Sequence, residues 1–294
     1  MDYSSCAVVC ITSYPRWYRG KLRSIKHTDK IRGDIALEFF CESLTRGCNM
    51  IVSDEGSSKT FRKAVKNLPE IIFINRRVKK RSPAKRHAIE RAIAISGIRA
   101  IVLTEPEKLS LITDCLPQIL EPVLSGKADI VVPNRKEALF KSTYPYYQYE
   151  SESEGNRMYN EELRSHALIP VVQSDLDMFF GPRVFSTKKS VISLFMKSYH
   201  FTIAHMTFPH WYFDVESFSN TLYFPVIMAL KKKMRIISVE VPFRYPELQK
   251  HNEERGEREL FLEKRKAQRI SIIVELLHFI AFLENYRAIR IKST

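Results

Sequence analysis

Short apolar runs alternate with helix-like segments through the first half of the chain, and this alternation constrains the fold more than any other feature. The runs are rich in β-branched residues and lack the polar alternation of a half-exposed strand. The predicted strands are CAVVCIT (6–12), NMIVSDEGSS (49–58, running into a turn), EIIFINRR (70–77), RAIVLTE (99–105) and ADIVVPNR (128–135). Strands that are apolar on both faces, each followed by a helix, are typical of a parallel sheet covered on both sides.

Helices are predicted between and after these strands. They are DIALEFFCESLTRG (34–47), SKTFRKAVKNL (58–68), SPAKRHAIERAIAISG (82–97) and LSLITDCLPQILEPVLSG (109–126). Ser82 occupies an N-cap position in the third helix, and Pro83 occupies its first helical position. Pro117 and Pro122 predict that the fourth is bent or broken, because proline lacks the N–H that an interior helical position donates. The sequence therefore predicts an α/β fold.

Length and composition are those of an ordinary globular protein. Of its 294 residues, 45% are hydrophobic, which suits one large domain or two small ones. The five cysteines show no CxxC pair and no zinc-ligand spacing, so we interpret them as reduced thiols. The first residues lack the features of a signal peptide, and no apolar run reaches the roughly 20 residues that span a bilayer. We therefore expect a cytoplasmic protein, either free or peripheral to a membrane.

The formal net charge is +14, and such an excess attracts nucleic acid, anionic lipid headgroups or nucleotide phosphates. The densest clusters are RRVKKRSPAKR (76–86) and KKK (231–233), although a solvated surface explains 76–81 equally well. The absence of GxxxxGK(S/T) and GxGxxG motifs, with only nine glycines, argues against a P-loop kinase or a dinucleotide-binding dehydrogenase. A bound nucleoside diphosphate would therefore need cations, either a metal ion or lysine and arginine side chains.

Polar residues follow the predicted strands at the points where the strands end. They are Thr12-Ser13, Ser53-Asp54-Glu55-Gly56, Asn75-Arg76 and Thr104-Glu105-Pro106-Glu107. The carboxyl ends of parallel strands share one edge of the sheet, and ligands bind in the crevice outside that edge. The sequence therefore predicts one site that several strands share.

Several segments resemble, in chain order, motifs of family 2-type glycosyltransferases of the GT-A fold, within the nucleotide-diphospho-sugar transferase superfamily. The segments are VSDEGSS (52–58), SPAKRHAIERAIA (82–94), AIVLTEPEK (100–108) and LSGKADIVVPNRKE (124–137). The first resembles the VDDGSTD turn of these enzymes, and the second resembles their Arg-Asn helix, with Arg86-His87 on those positions. The third falls where they carry Asp-x-Asp, and the fourth resembles the strand that follows. The resemblance covers residues 5–137 and continues to about residue 245.

The resemblance implies a GT-A (Rossmann-like) α/β fold with a mostly parallel sheet, helices on both faces and a C-terminal helical extension. Residues 1–137 would form the nucleotide-sugar-binding half, residues 138–255 the acceptor-binding half of the same domain, and residues 256–294 the extension. The implied activity moves a sugar from a nucleoside-diphosphate sugar, of UDP or GDP type, to an acceptor hydroxyl or phosphate. The acceptor stays open between a lipid phosphate and a small molecule, and nucleic acid is not an expected partner.

The resemblance also implies a set of site residues. The nucleotide sugar would contact Thr12, Ser13, Asp54, Arg86, Thr104 and Glu105. Glu105 and Glu107 would hold Mg²⁺ or Mn²⁺ between the two phosphates, and His251 would complete the metal site. A second interpretation makes Glu105 and Glu107 the acidic first turn of a helix, with Pro106 at its first position. For His251 the alternative is a solvated side chain in a charged loop.

Three carboxylates of the second half are candidates for the general base of an inverting transfer, whereas a retaining transfer needs no such base. They are Asp177, Asp214 and Glu216, and Asp214 also suits a helix N-cap. Residues 140–163 are rich in tyrosine and show no clear period. They predict an irregular segment, either an active-site lid or a surface loop.

The C-terminal segment 256–294 begins with charged residues and continues into ISIIVELLHFIAFL (270–283). Its first interpretation is an amphipathic helix that docks on the core, with homodimerisation and membrane-surface attachment as alternatives.

Two other functions fit parts of the sequence. A sugar nucleotidyltransferase shares the implied fold, but such enzymes carry a GxGxR loop after the first strand, where this chain has TSYPRWYRG (12–20). A catalytically inactive GT-A-like protein that binds nucleotide or polyanions fits the missing Asp-x-Asp and the +14 charge. It does not fit the intact turn at Asp54 or the candidate carboxylates of the second half.

Overall fold

The computed structural model describes residues 3–75, 81–200 and 217–291. Its main strands are β1 (Cys6–Thr12), β2 (Asn49–Asp54), β3 (Ile71–Asn75), β4 (Ala100–Leu103), β5 (Ile130–Arg135) and β6 (Arg183–Ser186). After them come the two-residue strands β7 (Tyr199–His200) and β8 (Ser217–Phe218), which pair with each other, and then β9 (Ile236–Val241). The central sheet has seven strands in the order β3-β2-β1-β4-β6-β5-β9. Strand β6 is antiparallel to β4 and β5, and the other pairs are parallel.

Helices connect these strands on both sides of the sheet. They are α1 (Thr28–Thr45), α2 (Lys59–Lys66), α3 (Arg81–Ile93), α4 (Leu109–Thr113), α5 (Leu116–Leu124), α6 (Glu137–Thr143), α7 (Tyr146–Ser165), α8 (Lys189–Met196), α9 (Phe224–Lys231), α10 (Glu247–His251) and α11 (Arg258–Ile291). A π-helical turn (Asn252–Gly256) joins α10 to α11.

Two hydrophobic cores bury the two faces of the sheet. Alternate residues of β1 divide between them, with Ala7 and Val9 in one core and Val8 and Cys10 in the other. Residues of α3, α8, α9 and α11 pack in the first core, and residues of α1, α2, α4 and α5 pack in the second. The predicted mostly parallel α/β sheet with helices on both faces is therefore confirmed. Burial on both faces also explains why the strands lack polar alternation.

The C-terminal helix α11 docks on the first core, which was the first interpretation of its sequence. Leu276, Phe279 and Leu283 are buried there. Within the described ranges, no helix combines the length and the apolar character that crossing a membrane requires. All five cysteines are free thiols, and four of them are buried.

Two helix starts differ from the prediction, whereas the predicted break in the fourth helix is confirmed. Helix α1 begins at Thr28 instead of Asp34, because buried Ile31 extends its apolar face toward the N-terminus. The fourth helix is broken, as its prolines predicted: α4 and α5 are separated just before Pro117, while Pro122 lies inside α5. Ser82 lies within the first turn of α3 and does not precede it.

The prediction of an irregular segment at 140–163 is wrong, because α6 and the 20-residue α7 occupy it. The buried face of α7 has helical spacing but carries polar residues and a glycine. They include Gln148, Glu152, Gly155 and Asn160, along with Tyr159 and Leu163. A helix whose buried face is polar shows little hydrophobic period, and the sequence pattern therefore did not predict it.

Gly155 allows α7 to approach the turn before β6. A Cβ atom at this position would lie 2.4 Å from Cζ of Phe179, which is buried. Gly→Ala inside a helix normally stabilises it by up to about 1 kcal/mol, but overpacking of a core costs about 1–3 kcal/mol. We therefore expect Gly155→Ala to lower the free energy of unfolding, measured by urea denaturation, whereas Met158→Ala on the exposed face of α7 should change it little.

A double-mutant cycle tests the cause of this effect. If overlap with the ring is responsible, Gly155→Ala should destabilise a Phe179→Ala background less than it destabilises the wild type. Equal costs in both backgrounds, or a gain in stability from Gly155→Ala alone, would show that the close approach does not limit the packing of α7.

Candidate functional site

The strand order places a topological switch point between β1 and β4. From β1 the chain proceeds outward through β2 to β3, and it then returns to form β4 on the other side of β1. In open α/β sheets, ligands bind at such a point, outside the carboxyl ends of the strands. A cavity of about 130 Å³ lies there, and five of the predicted residues line it: Thr12, Ser13, Thr104, Glu105 and Glu107.

Asp54 is the last residue of β2 and is fully buried. It lies beside Thr12, the last residue of β1. The Thr12 hydroxyl donates to Asp54 Oδ1 at 2.8 Å, and the backbone N–H of Ser57 donates to Oδ2 at 3.2 Å. Gly56 has a φ of +129°, a conformation that glycine adopts without strain. The carboxylate of Asp54 therefore organises the turn that follows β2, and its neighbour Glu55 is the residue of this turn that lines the cavity.

The carboxylate of Glu107 already has two partners within the protein, Tyr14 and Arg32. Its Oε1 accepts a hydrogen bond from the Tyr14 hydroxyl at 2.9 Å and lies 2.6 Å from Arg32 Nη2. Burial, reinforced by the charge of Glu107, raises the pKa of the Tyr14 hydroxyl, so that it stays a donor. Tyr14 lies two residues after the end of β1 and Arg32 lies on α1, and both line the same cavity.

Glu105 borders the cavity with one unsatisfied oxygen. Its Oε2 lies 3.8 Å from Lys108 Nζ and finds no hydrogen-bond partner among the described residues. Burial alone would raise the pKa of Glu105, but Lys108 and Lys85 outweigh it and hold that pKa below its ordinary value. Glu105 is therefore ionised at neutral pH. Gly181 packs against it, since a Cβ there would lie 3.1 Å from both carboxylate oxygens.

The helix-start interpretation of Glu105 and Glu107 is wrong. Helix α4 begins at Leu109, with Lys108 as its N-cap residue, so that Pro106 is not its first position. The backbone N–H of Lys108 donates to the carbonyl of Glu105 at 3.2 Å, which makes residues 105–108 a separate turn. The turn holds both carboxylates at the cleft before the helix begins.

The described residues do not fit the divalent metal that the resemblance implied. Glu107 is already paired with Arg32, and Glu105 faces Lys108. His251 lies on α10 with its side chain 39% exposed, 3.9 Å from Glu247. No group of three His, Cys, Asp or Glu side chains in the described part of the chain could hold a metal ion. Protein cations thus occupy the positions next to these carboxylates.

Arg86 does not line the cavity, although its neighbour Lys85 does. Arg86 Nη1 donates to the carbonyl oxygen of Ser219 at 2.9 Å. Successive residues of an α-helix are rotated by about 100°, so Lys85 and Arg86 point in different directions. Helix α3, which resembles the Arg-Asn helix, therefore contributes a cation to the cavity. That cation is Lys85 and not the predicted Arg86.

Asp177 is held in a buried ion pair, which makes it a poor candidate for the general base. Arg135 donates from Nε to Asp177 Oδ2 at 2.7 Å and from Nη2 to Oδ1 at 2.8 Å, and Asn156 also donates to Oδ1. Burial would raise the pKa of Asp177, but Arg135 outweighs it and lowers that pKa. Asp214 and Glu216 lie outside the described residues.

A second cavity, of about 360 Å³, adjoins the first and shares Arg32, Glu105 and Glu107 with it. Most residues that line it could not be predicted from the sequence, because they come from helices and loops that are distant along the chain. Those with polar side chains include Lys108, Gln148, Glu152, Tyr245, Gln249, Glu253, Lys264 and Arg265. Lys108 was the one that sequence could have indicated, since it directly follows the Glu-x-Glu motif. The rest carry no shared spacing.

No family model matches the sequence, and no curated protein matches it. Among solved structures, the chain is similar to a provisionally assigned nucleotide-diphospho-sugar transferase from Desulfovibrio desulfuricans G20, with a TM-score of 0.43, 8% identity and 80% of each chain covered. It is also similar to the 4-diphosphocytidyl-2C-methyl-D-erythritol synthase from Anaerococcus prevotii DSM 20548, with a TM-score of 0.41 and 9% identity over 88% of this chain and 98% of that one. At these TM-scores and identities, the similarities carry no information about activity. The description of the fold therefore rests on the strand order given above.

Proposed function

We propose that this chain is a glycosyltransferase that binds a nucleoside-diphosphate sugar at the carboxyl ends of β1, β2 and β4. The observation that carries the proposal is the cavity at the switch point. Four of the residues that the GT-A resemblance assigned to the nucleotide sugar, Thr12, Ser13, Thr104 and Glu105, line it together. Residues 1–137 would then bind the donor, residues 138–255 the acceptor, and residues 256–294 would close the acceptor side.

The diphosphate would be bound by side-chain cations. Arg32 and Lys85 line the smaller cavity, and Lys108 lines the larger one beside Glu105. Cationic side chains bind phosphate oxygens through charge-assisted hydrogen bonds. These cations would bind the phosphates in place of a Gly-rich loop, which the sequence lacks. They would also take the place of a metal ion, which Glu105, Glu107 and His251 do not fit.

In the reaction, the bond between the anomeric carbon and the diphosphate oxygen breaks, and a bond from that carbon to the acceptor oxygen forms. The bonding electrons leave with the nucleoside diphosphate, and the acceptor proton passes to a base or to water. Fixed cations stabilise the charge that the leaving diphosphate gains in the transition state. For an inverting transfer, Glu105 joins Asp214 and Glu216 as a candidate base, because it is ionised and borders both cavities.

A nucleotide panel tests donor binding. We expect one of UDP, GDP, CDP and TDP to raise the melting temperature equally with and without Mn²⁺, because protein cations meet the phosphates. A ligand at one hundred times its dissociation constant stabilises a protein by about 2.7 kcal/mol. Lys85→Ala should reduce the shift, whereas Lys63→Ala, on the exposed face of α2, should leave it unchanged. The measurement is differential scanning calorimetry.

The same experiment separates the alternatives. If no nucleotide shifts the melting temperature, the transferase is ruled out. If the shift requires Mn²⁺, a metal ion takes part in nucleotide binding. An inactive protein that binds polyanions would respond to heparin as well as to nucleotides, with an affinity that falls steeply as salt rises.

Slow transfer to water tests the activity itself. Incubation with UDP-glucose or GDP-mannose should release free sugar and nucleoside diphosphate, detected by chromatography, at a rate that EDTA leaves unchanged. Lys108→Ala should lower this rate about 10²-fold, because it removes a charge beside the leaving group. Lys63→Ala is the matched control. Formation of a nucleoside triphosphate from nucleotide sugar and added pyrophosphate would instead identify a nucleotidyltransferase.

A further inference from the structure

Two valines form the exposed tip of a turn in the segment after α7. The backbone N–H of Gln173 donates to the carbonyl of Pro170 at 3.0 Å, so that Val171 and Val172 are the central residues of the turn. They are 83% and 96% exposed, more than any other large hydrophobic residue in the described part of the chain. Central turn positions usually carry glycine, proline, asparagine, aspartate or serine. The conformation of the turn therefore does not account for two adjacent valines at its tip.

The segment that carries this turn is anchored to the protein on both sides. Before the turn, Ile169 is buried in the first hydrophobic core. After the turn, Leu176 is buried in the same core, and its backbone N–H donates to Oδ1 of Asn160 at 2.9 Å. The two valines therefore project from a fixed position, while their apolar neighbours in the segment are covered.

A cluster of lysines lies beside the turn. Lys231 is the last residue of α9, and Lys232 and Lys233 follow it on the way to β9. Lys231, Lys233 and Val171 line one open groove of about 690 Å³, which the segment after α7 forms with the end of α9 and with α11. The apolar tip and the lysine cluster are thus parts of one surface.

The groove carries an excess of positive charge. Of the lysine, arginine and carboxylate side chains that line it in the described ranges, three are cationic and one, Glu284, is anionic. Glu284 Oε1 lies 2.7 Å from His166 Nδ1, and Arg164 forms an ion pair with Asp175. These residues pair with one another, and the lysines at 231–233 therefore supply the excess charge.

Lys233 has a backbone conformation that usually selects glycine. Its φ is +54°, its N–H donates to the carbonyl of Leu230 at 2.8 Å, and the N–H of Met234 donates to the carbonyl of Ala229 at 3.0 Å. These two bonds form a Schellman motif, whose left-handed residue is commonly glycine because a side chain is strained there. A strained residue points to a role for its side chain. The ammonium group of Lys233 therefore serves a purpose that glycine at this helix end would not.

An exposed apolar tip beside a lysine cluster matches the surface of an anionic bilayer. Apolar side chains enter the boundary between headgroups and acyl chains, and lysine ammonium groups are attracted to anionic headgroups. Stable attachment to a bilayer takes two such signals. This surface combines both within one groove.

We infer that the turn at 170–173 and the lysines at 231–233 bind the surface of an anionic lipid bilayer. The groove lies before the start of β9, where Met234 lines it, whereas Tyr245 lines the larger cavity beyond the other end of this strand. The six residues of β9, at about 3.3 Å each, place roughly 20 Å between the two. The bilayer is therefore an anchoring surface that leaves the candidate site free, and the inference does not depend on the proposed function.

Co-sedimentation of the full chain with vesicles tests this inference. The probes are vesicles of phosphatidylcholine alone and vesicles of equal parts phosphatidylcholine and phosphatidylglycerol. We expect binding to the mixed vesicles that weakens as salt is raised, and at least about tenfold weaker binding to phosphatidylcholine alone. Lys232→Gln combined with Lys233→Gln should weaken binding to the mixed vesicles about twentyfold, and Val171→Ser combined with Val172→Ser should weaken it about tenfold.

Matched controls change the same residue types elsewhere on the surface. Lys63→Gln combined with Lys66→Gln removes two exposed lysines near the end of α2, and Leu260→Ser removes an exposed apolar side chain of α11. Both controls should bind the mixed vesicles as the wild type does. Equal weakening by the controls would show that net charge or general apolar exposure is responsible and would overturn the inference.

Two further results would also overturn it. One is the absence of binding to the mixed vesicles, or binding that neither pair of substitutions in the groove weakens. The other is a dimer, detected by sedimentation velocity, that the valine substitutions abolish in a protein that binds no vesicles. That result would make the surface a contact between two copies of the chain.

Nucleotide binding, measured by calorimetry on the same preparations, separates this inference from the proposed function. The lysine and valine variants should keep the wild-type melting temperature and its shift with nucleotide, because the substituted side chains are exposed and lie outside the candidate site. Vesicle binding by a protein that responds to no nucleotide would support the bilayer surface and contradict the transferase.

Discussion

The guanidinium of Arg135, at the end of β5, is almost completely buried, and the second half of the molecule is built around it. It bonds Asp177 through two nitrogens and Glu152 through the third at 2.6 Å, and its carbon lies 3.6 Å from the centre of the Phe140 ring. Removing charges from water costs several kcal/mol per ion unless they are paired and hydrogen-bonded. The partners of Arg135 must therefore be held together, and this requirement ties β5 to α7 and to the segment before β6.

The same network extends into the candidate site. Glu152 also contacts Arg265 of α11 and accepts from Gln148, while Arg265 reaches Glu253. One wall of the larger cavity is thus the outer surface of a buried charge network. Such a wall is rigid, because moving any member would expose or unpair a charge. A rigid polar wall is what positions hydrogen-bonding groups for a ligand.

Elements could be predicted from the sequence where their own hydrophobic pattern sets their structure. The β-branched strands, their polar ends at Thr12, Asp54 and Glu105, and the apolar face of α11 all belong to this class. Sequence reasoning failed for α7, whose buried face is polar because it serves the Arg135 network. It did not predict the ion pair of Asp177 either, because a carboxylate in a buried ion pair and a catalytic base look the same in a sequence.

The sequence by itself determined the class of the fold and the edge of the sheet where the polar residues after the strands collect. Both follow from local patterns, since a strand that is apolar on both faces must be covered on both faces, and parallel strands share one carboxyl edge. The tertiary structure alone decided which charges meet there. Arg32, Lys108 and Arg265 are distant in sequence, and whether a carboxylate faces a cation, a ligand or a metal ion depends on distances of a few ångströms between elements that local sequence does not encode.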